Sequence, residues 1–318
     1  NATTLDVAMT GTDSNGDYIT DALVVAGSVT TINLSGGGET SSAGTYSTMT
    51  LTGSGSIGAV TSTYNGGLTI SGLGWNTSNG ATVTTGANTV AATTTVDDAD
   101  IKDGVLKLVD TAGTDTLSMG TTGTALGLVD ITGFETINFD INSGAATTVN
   151  FRDVSGTTTV IWDGVDASDL SHDITVTSMM SGATTKVTGA LANSKTLSVT
   201  ARTGSTSDTA ILTTLDADFT SAGASTAVTF NGFETFTIQA SLDDHIDLGS
   251  NDALLTLGST TTLNIGGDGS AATDSGNVTL GTVAATSATT VAITTEGGTV
   301  SVTVGDGGTA PSPGGADQ

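Results

Sequence analysis

Aspartate clusters recur along this chain, and clustered carboxylates are the side chains with which proteins bind hard cations. In the densest cluster, Asp243, Asp244 and Asp247 flank His245, and Asp252 follows shortly after. Carboxylates this close repel one another, and a divalent cation removes that penalty. Calcium (Ca2+) fits best because it takes oxygen ligands in flexible geometry, whereas the chain has no cysteine. We therefore expect calcium at one or more of these clusters.

Four further clusters have the same character. Asp13, Asn15 and Asp17 occupy alternate positions, the spacing with which loop oxygens converge on calcium. A cluster of this kind has a second explanation, since Asp is a common residue of solvated turns. The complete set of candidate metal ligands is Asp13, Asn15, Asp17, Asp97, Asp98, Asp100, Asp103, Asp163, Asp166, Asp169, Asp173, Asp243, Asp244, Asp247, Asp252, Asp268 and Asp274.

Catalytic chemistry has less support from the residue types. His172 and His245 are the only imidazoles, and no nucleophile motif accompanies them. We expect the protein not to be an enzyme. A β-helix enzyme that degrades polysaccharides is a further alternative, because glycoside hydrolysis needs two carboxylates and the chain offers many.

The charge balance limits the partners. The chain has 6 basic and 32 acidic residues and a formal net charge of −26. This balance argues against nucleic acid and against docking on anionic lipid. No apolar stretch approaches the roughly 20 residues of a membrane helix, so we expect no direct membrane insertion. The chain begins with Asn, which suggests that it is processed or cut from something longer.

Short alternating runs predict the fold class. Segments such as 47–53 and 195–201 alternate Val, Leu or Met with Thr or Ser, and Gly, Asn or Asp separates one run from the next. We predict an all-β, parallel β-solenoid-like fold (a β-helix) with irregular loops. Tandem β-sandwich modules are the alternative. The least strand-like piece, 97–110, could hold one short helix with Ile101, Val105 and Leu108 on one face.

One phrase occurs twice in the chain. ITGFETINF at 131–139 and FNGFETFTI at 230–238 share Gly-Phe-Glu-Thr before an alternating run. In a continuous strand, the alternation of side chains would place Phe134 on the face opposite to the apolar one. We therefore predict a turn at Gly133 that folds the ring into the core. Gly232 and Phe233 repeat the pattern.

The Glu of each copy has two explanations. Glu135 and Glu234 either cap the corner by accepting backbone N–H groups or are solvated. The repeat also suggests a division of the chain. We predict an N-terminal β region at 1–100, two regions with one Gly-Phe-Glu-Thr copy each at 101–200 and 201–304, and a Gly/Pro-rich tail or linker at 305–318.

A resemblance rests on these phrases. With GTDTLSM before ITGFETINF, STSDTAIL before FNGFETFTI, and the run TTLNIGGDG, the chain resembles bacterial exported proteins of the calcium-binding repeats-in-toxin group. Within that group it resembles in particular bacterial surface-layer (S-layer) and adhesin proteins with Thr/Gly/Ala/Asp-rich β-solenoids. The resemblance implies export, calcium-dependent folding and lateral assembly on the cell surface.

These observations together give an expected function. We expect a secreted, extracellular structural subunit of a bacterial surface layer or matrix, which binds copies of itself in a calcium-dependent way. Cell-surface polysaccharide is a possible further partner. The alternative from another class is an adhesin or fibre segment that presents a Thr/Ser/Asn-rich face to a glycan.

Overall fold

The structure, a computed structural model, is made of β-strands and loops throughout the part that it describes. That part comprises residues 3–9, 22–36, 48–76, 79–86, 92–96, 106–121, 125–126, 130–141, 146–164, 170, 172–203, 205–221, 226–240, 244–248, 254–266, 276–293 and 300–305. The strands are β1 (Thr4–Met9), β2 (Ala22–Val25), β3 (Thr31–Gly36), β4 (Met49–Gly53), β5 (Ala59–Ser62), β6 (Leu68–Ile70), β7 (Ala81–Thr85), β8 (Thr93–Val96), β9 (Leu106–Asp110), β10 (Thr116–Thr121), β11 (Ala125–Leu126), β12 (Asp130–Thr132), β13 (Thr136–Ile141), β14 (Thr147–Asn150), β15 (Val154–Ser155), β16 (Thr159–Asp163), β17 (Ile174–Met179), β18 (Thr184–Leu191), β19 (Thr196–Ala201), β20 (Thr209–Ser221), β21 (Ala227–Asn231), β22 (Thr235–Ile238), β23 (His245–Leu248), β24 (Leu254–Leu257), β25 (Thr262–Ile265), β26 (Asn277–Ala284), β27 (Thr290–Ile293) and β28 (Val300–Gly305).

Strand pairing defines the fold as a parallel β-solenoid, as the sequence predicts. Thr4 pairs with Thr31, and Thr31 pairs with Ala59, each on the next coil of the chain. Every strand pair with a described register is parallel. Antiparallel sandwich modules would need hairpins, so the alternative fold is wrong.

The chain contacts divide into two compact units. Unit 1 comprises 1–121, 126–139 and 153–157. Its first sheet has the order β1-β3-β5-β7-β9-β12-β15, and its second pairs β2, β4, β6, β8 and β10 in sequence. A coil of unit 1 therefore contributes one strand to each of two sheets.

Unit 2 comprises 122–125, 140–152 and 158–318, and its later coils have three strands. One sheet runs through β14, β17, β19, β21 and β24, and another through β16, β18, β20, β22, β25 and β27. A third includes β23, which pairs with the end of β20 and with β26. The division of the sequence into four regions remains a prediction.

Alternation along each strand builds a narrow core. In β9, Leu106, Leu108 and Asp110 are buried, whereas Lys107 between them is exposed. The possible helix over 97–110 is therefore wrong for Leu106–Asp110, whose period of two makes it a strand. Ile101 and Val105 lie outside the described residues.

Aromatic side chains fill the wider parts of this core. In unit 2 the ring of Phe230 lies 4.6 Å from that of Phe236 and 6.0 Å from that of Phe233, measured between centroids. Both pairs are tilted, a favourable geometry for aromatic rings. Trp162 is fully buried in the same unit. The few aromatic residues of the chain therefore serve packing at these positions.

Candidate functional site

The first Gly-Phe-Glu-Thr copy forms a corner between β12 and β13. Gly133 has φ of +91°, a conformation that favours glycine, and the chain turns there. Phe134 is 1% exposed, so its ring is a core plug as predicted. The Thr157 hydroxyl on the next coil donates to the Phe134 carbonyl at 2.8 Å. The corner is thus bonded to the coil that follows it.

Glu135 bonds the same corner to the preceding coil. The backbone N–H of Asp115 donates to Glu135 Oε2 at 2.9 Å, and the N–H of Thr136 donates to the Asp115 carbonyl at 3.2 Å. A charged acceptor makes the first of these bonds stronger than a neutral one. The capping role predicted for Glu135 is confirmed.

The second copy repeats this geometry in unit 2. Gly232 has φ of +85°, Phe233 is fully buried, and the N–H of Asp208 donates to Glu234 Oε2 at 2.7 Å. The Thr260 hydroxyl donates to the Phe233 carbonyl at 2.9 Å. The capping role of Glu234 is confirmed too, and the repeated phrase therefore marks a repeated structural corner.

The two corners differ at one buried position. One residue beyond the paired part of β9 and β12, the Asp110 backbone lies against Gly133, and one residue beyond the paired part of β19 and β21, Ala201 lies against Gly232. Asp110 is 6% exposed and Asp115 is 3% exposed, and each carboxyl group affects the pKa of the other. Unit 1 thus holds a pair of buried carboxyl groups, hereafter the Asp110–Asp115 pair, where the second corner has a methyl group.

Burial governs the electrostatics of the Asp110–Asp115 pair. Loss of solvation raises the pKa of Asp115 from 3.8 to about 7; the N–H of Ala92 opposes this rise, whereas the charges of Asp110 and Glu135 add to it. Burial also raises the pKa of Asp110, against hydrogen bonds from Asp115, the Thr111 N–H and the Thr85 hydroxyl. At neutral pH the pair can therefore retain a proton.

Two of the predicted metal ligands, Asp163 and Asp173, lie at the ends of strands in unit 2. Asp163 is the last residue of β16, and Asp173 directly precedes β17. Asp173 Oδ1 accepts the backbone N–H of Thr196 at 2.9 Å and its hydroxyl at 3.0 Å. The structure therefore gives Asp173 a capping role, which the sequence pattern did not indicate.

The densest predicted cluster is described in part. Asp244 precedes β23, and its Oδ2 is buried without a hydrogen-bond partner among the described residues. His245 Nδ1 lies 2.9 Å from Asp218 Oδ1, and the His245 N–H donates to the same oxygen at 2.8 Å. Asp247 is a half-buried residue of β23. Asp218 is thus a partner that the sequence cluster did not include.

The other candidate ligands fall where the structure gives no description. Within the described ranges, no group of three or more His, Cys, Asp or Glu side chains is arranged to hold a metal ion. The candidates that lie outside those ranges are Asp13, Asn15, Asp17, Asp97, Asp98, Asp100, Asp103, Asp166, Asp169, Asp243, Asp252, Asp268 and Asp274.

The Asp110–Asp115 pair escaped the sequence analysis, although one signal for it was present. In Leu106-Lys-Leu-Val-Asp110 the carboxylate shares the parity of the two buried leucines. An acidic residue at a strand position whose side chain faces the core is unusual, because burying a charge is costly. Parity therefore identifies this Asp better than clustering does.

A column of hydroxyl groups marks the outward side of one sheet in unit 2. The column consists of residues in register on five neighbouring strands, namely Thr148, Thr175, Ser198, Thr229 and Thr256. All five side chains are exposed or half-buried. Neighbouring strands are about 4.8 Å apart, so the hydroxyl groups repeat at this interval.

The fold and these corners define the class: this chain is an all-β parallel β-solenoid protein. No protein-family model, curated protein or solved structure matches the chain. Among the residues that the structure describes, no helix is both long and apolar enough to cross a membrane.

Proposed function

We propose that this protein is a secreted structural subunit of a bacterial surface layer or extracellular matrix, and that calcium controls its assembly. The observation that carries this proposal is a parallel β-solenoid in a chain of net charge −26, with acidic residues placed at the corners of its coils. Asp163, Asp173 and Asp244 all lie at a strand end or directly before a strand. The resemblance of the sequence phrases to surface-layer and repeats-in-toxin proteins is a second support for this proposal.

Charge gives the mechanism. Two surfaces rich in carboxylates repel one another, and a divalent cation between them turns repulsion into cohesion. Calcium binding would therefore favour the assembled state over separate subunits, and removal of calcium would release them. Copies of the chain itself are the principal partners in this proposal, on the outer surface of the cell.

The ligands proposed near β23 would suit a calcium ion by their chemistry. Calcium prefers oxygen ligands, and a buried carboxylate oxygen without a donor is costly unless a cation or water satisfies it. Asp244 Oδ2 is such an oxygen. Asp244 would hold the ion together with Asp243, Asp247 or Asp252, its neighbours in sequence. The ion would neutralise this crowded charge.

Light scattering during a calcium titration tests the proposal. Reversible growth of particles with calcium, and their loss with chelator, is the expected result. Asp244→Asn should raise the calcium concentration at which assembly is half complete. Asp130→Asn removes the same charge from an exposed ion pair with Lys107 and should leave the midpoint unchanged. Particles that never form, or that form equally well with sodium at matched ionic strength, would refute calcium-dependent assembly.

A second candidate function has its own observation. The hydroxyl column from Thr148 to Thr256 is an uncharged, periodic surface on a chain that is otherwise strongly acidic. Such a surface favours an adhesin or fibre segment that binds a neutral glycan through repeated hydrogen bonds. Binding of the monomer to a polysaccharide, unaffected by chelator and weakened by Thr229→Lys, would support this function over assembly.

A further inference from the structure

We propose that β27 of one copy of this chain pairs with β1 of a second copy as parallel strands, so that copies join through these two edge strands. The inference rests on the self-assembly named in the proposed function, for which it adds a binding surface that needs no calcium. It is carried by the exposure of β1 and β27, by the hydrogen bonds of the coils next to them, and by a sequence phrase that the two strands share.

β1 and β27 are edge strands among the residues that the structure describes. β1 lies at one end of the first sheet of unit 1, where its described register is with β3 alone. β27 is the last strand of a sheet in unit 2 and has a described register with β25 alone. An edge strand presents N–H and C=O groups on its open side, and those groups can pair with a further strand.

The apolar core continues onto β27 but is not covered there. In β25, Leu263 and Ile265 are fully buried. Their partners in register on β27 are Val291 and Ile293, which are 44% and 56% exposed. Side chains that pair in register in a parallel sheet lie on the same face, so both residues of β27 face the core side and leave an apolar surface open.

β1 has an open apolar surface of the same kind. On β3, Ile32 and Leu34 are buried. Leu5 and Val7, their partners in register on β1, are only half-buried. Each edge strand thus offers two apolar side chains, two residues apart, to a strand that pairs with it.

The two edge strands share a sequence phrase with the strands inside their sheets. β1 contains TTLDV at 3–7 and its neighbour TTINL at 30–34, whereas β27 contains TTVAI at 289–293 and its neighbour TTLNI at 261–265. All four read Thr-Thr, an apolar residue, any residue and a second apolar residue. Since TTINL follows TTLDV and TTVAI follows TTLNI in the solenoid, TTLDV of a second copy has the sequence to follow TTVAI.

A carbonyl with three donors joins β1 to the next coil. The N–H groups of Thr30 and Thr31 donate to the Thr3 carbonyl at 2.8 and 3.0 Å. The Thr30 hydroxyl donates to the same carbonyl at 3.1 Å. The Thr-Thr dipeptide therefore supplies three donors for one acceptor on the coil before it.

The same bonds join β27 to the coil before it. The N–H groups of Thr289 and Thr290 donate to the Thr261 carbonyl at 2.9 and 3.0 Å, and the Thr289 hydroxyl adds a bond of 3.2 Å. The equivalent acceptor for a further coil is the Thr289 carbonyl, and the equivalent donors are those of Thr3 and Thr4. Pairing of two copies would therefore join Thr3 and Thr4 of one copy to Thr289 of the other.

This register avoids a contact between like charges. It places Asp6 of one copy opposite Ala292 of the other, and β27 contains no charged residue. The apolar residues of β1 then lie against those of β27. The net charge of −26 still repels copies at a distance, and salt screens that repulsion. Sodium chloride should therefore promote the junction without calcium.

Sedimentation velocity of the full chain, in chelator and sodium chloride, tests the junction. Because β1 and β27 are different surfaces, each copy can bind one neighbour at each of them, and the wild type should form dimers and larger species as its concentration rises. Ile293→Lys and Val7→Lys each place a charge where the junction would bury it, and each should weaken self-association at least about tenfold. Val24→Lys changes a residue of β2 that is 75% exposed, and should leave association unchanged.

A mixture of the two edge variants separates the two surfaces. Ile293→Lys retains an intact β1 and Val7→Lys retains an intact β27, so the mixture should form a one-to-one dimer although each variant alone stays monomeric. A wild type that stays monomeric in chelator, or a mixture that forms no dimer, would overturn the junction. Growth of particles on addition of calcium would still support the proposed function in that case, so the two failures are distinguishable.

Disulfide cross-linking provides a second test, should a lysine variant fail to fold. The chain has no cysteine, so a mixture of Asp6→Cys and Ala292→Cys contains only the two introduced thiols. Neighbouring strands lie about 4.8 Å apart, within the range of Cα separations that a disulfide spans. We expect a heterodimer from this mixture and little from Ala8→Cys with Ala292→Cys, which is two residues out of register. Equal yields from both mixtures would refute the pairing.

Discussion

The carboxylate of Glu135 accepts the backbone N–H of Asp115, which lies one coil earlier, at 2.9 Å. Glu234 and Asp208 form the same bond at 2.7 Å in the second corner. In both corners the glutamate follows a buried phenylalanine, whose carbonyl is held in turn by a threonine of the next coil. A short sequence phrase thus connects three consecutive coils.

Removal of the two glutamates should have unequal effects. Glu234→Ala deletes a charge-assisted bond to a buried backbone group and should cost about 2 kcal/mol of the free energy of unfolding. Glu135→Ala deletes the same bond but also relieves repulsion with the Asp110–Asp115 pair, so its cost at neutral pH should be smaller. Urea denaturation measures both, with each Glu→Gln variant as the uncharged control. Equal losses at the two sites would contradict the electrostatic part of this account.

Substitution of two glycines, Gly133 and Gly72, should distinguish the cost of backbone strain from the cost of steric overlap. Gly133 has φ of +91°, and a Cβ there would overlap the Asp110 carbonyl oxygen and lie 2.9 Å from its carbon. Gly72 has φ of +62° with no atom within 4 Å of a Cβ. We expect Gly133→Ala to cost about 3 kcal/mol or more and Gly72→Ala about 1 kcal/mol.

Urea denaturation measures both losses of stability. Each loss follows from the shift of the unfolding midpoint, provided that the dependence of the free energy of unfolding on urea concentration is unchanged. A Gly133→Ala variant as stable as Gly72→Ala would mean that the corner relaxes away from β9.

Asp173 should act as a cap whether or not calcium is present. Asp173→Ala removes the acceptor for the Thr196 N–H and hydroxyl, and should lower the free energy of unfolding by about 1–2 kcal/mol. Asp173→Asn retains one oxygen acceptor and should cost less. Thermal unfolding in calcium and in chelator should give the same difference. A loss confined to calcium buffer would instead make Asp173 a metal ligand.

Chelator should lower the melting temperature of the wild-type chain. An ion that binds only the folded state stabilises it by roughly 2–4 kcal/mol per site at concentrations of 100 to 1,000 times its dissociation constant. We expect a decrease of at least several degrees, reversed by calcium in excess. Circular dichroism at matched ionic strength measures the shift. Superimposable curves would remove calcium from the proposed function.

The sequence predicted what depends on local pattern. Alternation identified the strands, and the parity of Phe134 placed both the turn at Gly133 and the buried ring. For Glu135 and Glu234 the sequence left a backbone cap and a solvated side chain as alternatives, and the structure shows the cap. These features need only a few consecutive residues, and all of them are present in the structure.

Features that depend on the stacking of coils were not predicted. Asp110 is buried through contacts with Thr85, which lies 25 residues earlier, and Asp115 is held by Glu135, which lies 20 residues later. Clustering along the chain cannot show such neighbours. The third strand per coil in unit 2 was missed for a similar reason, since β20 turns from one sheet to the next within an unbroken strand.

Thr209 pairs in register with Thr235, and Thr235 pairs in register with Thr262, so the coil is a unit that can be gained or lost as a whole. Because a coil bonds chiefly to its two neighbours, a duplicated or deleted stretch of whole coils leaves the remaining pairings intact. The hydrogen bond from Thr260 to Phe233 joins residues 27 apart, and this separation is the length of one coil at that point of the chain. Genes of this architecture can therefore lengthen or shorten by recombination while the protein continues to fold.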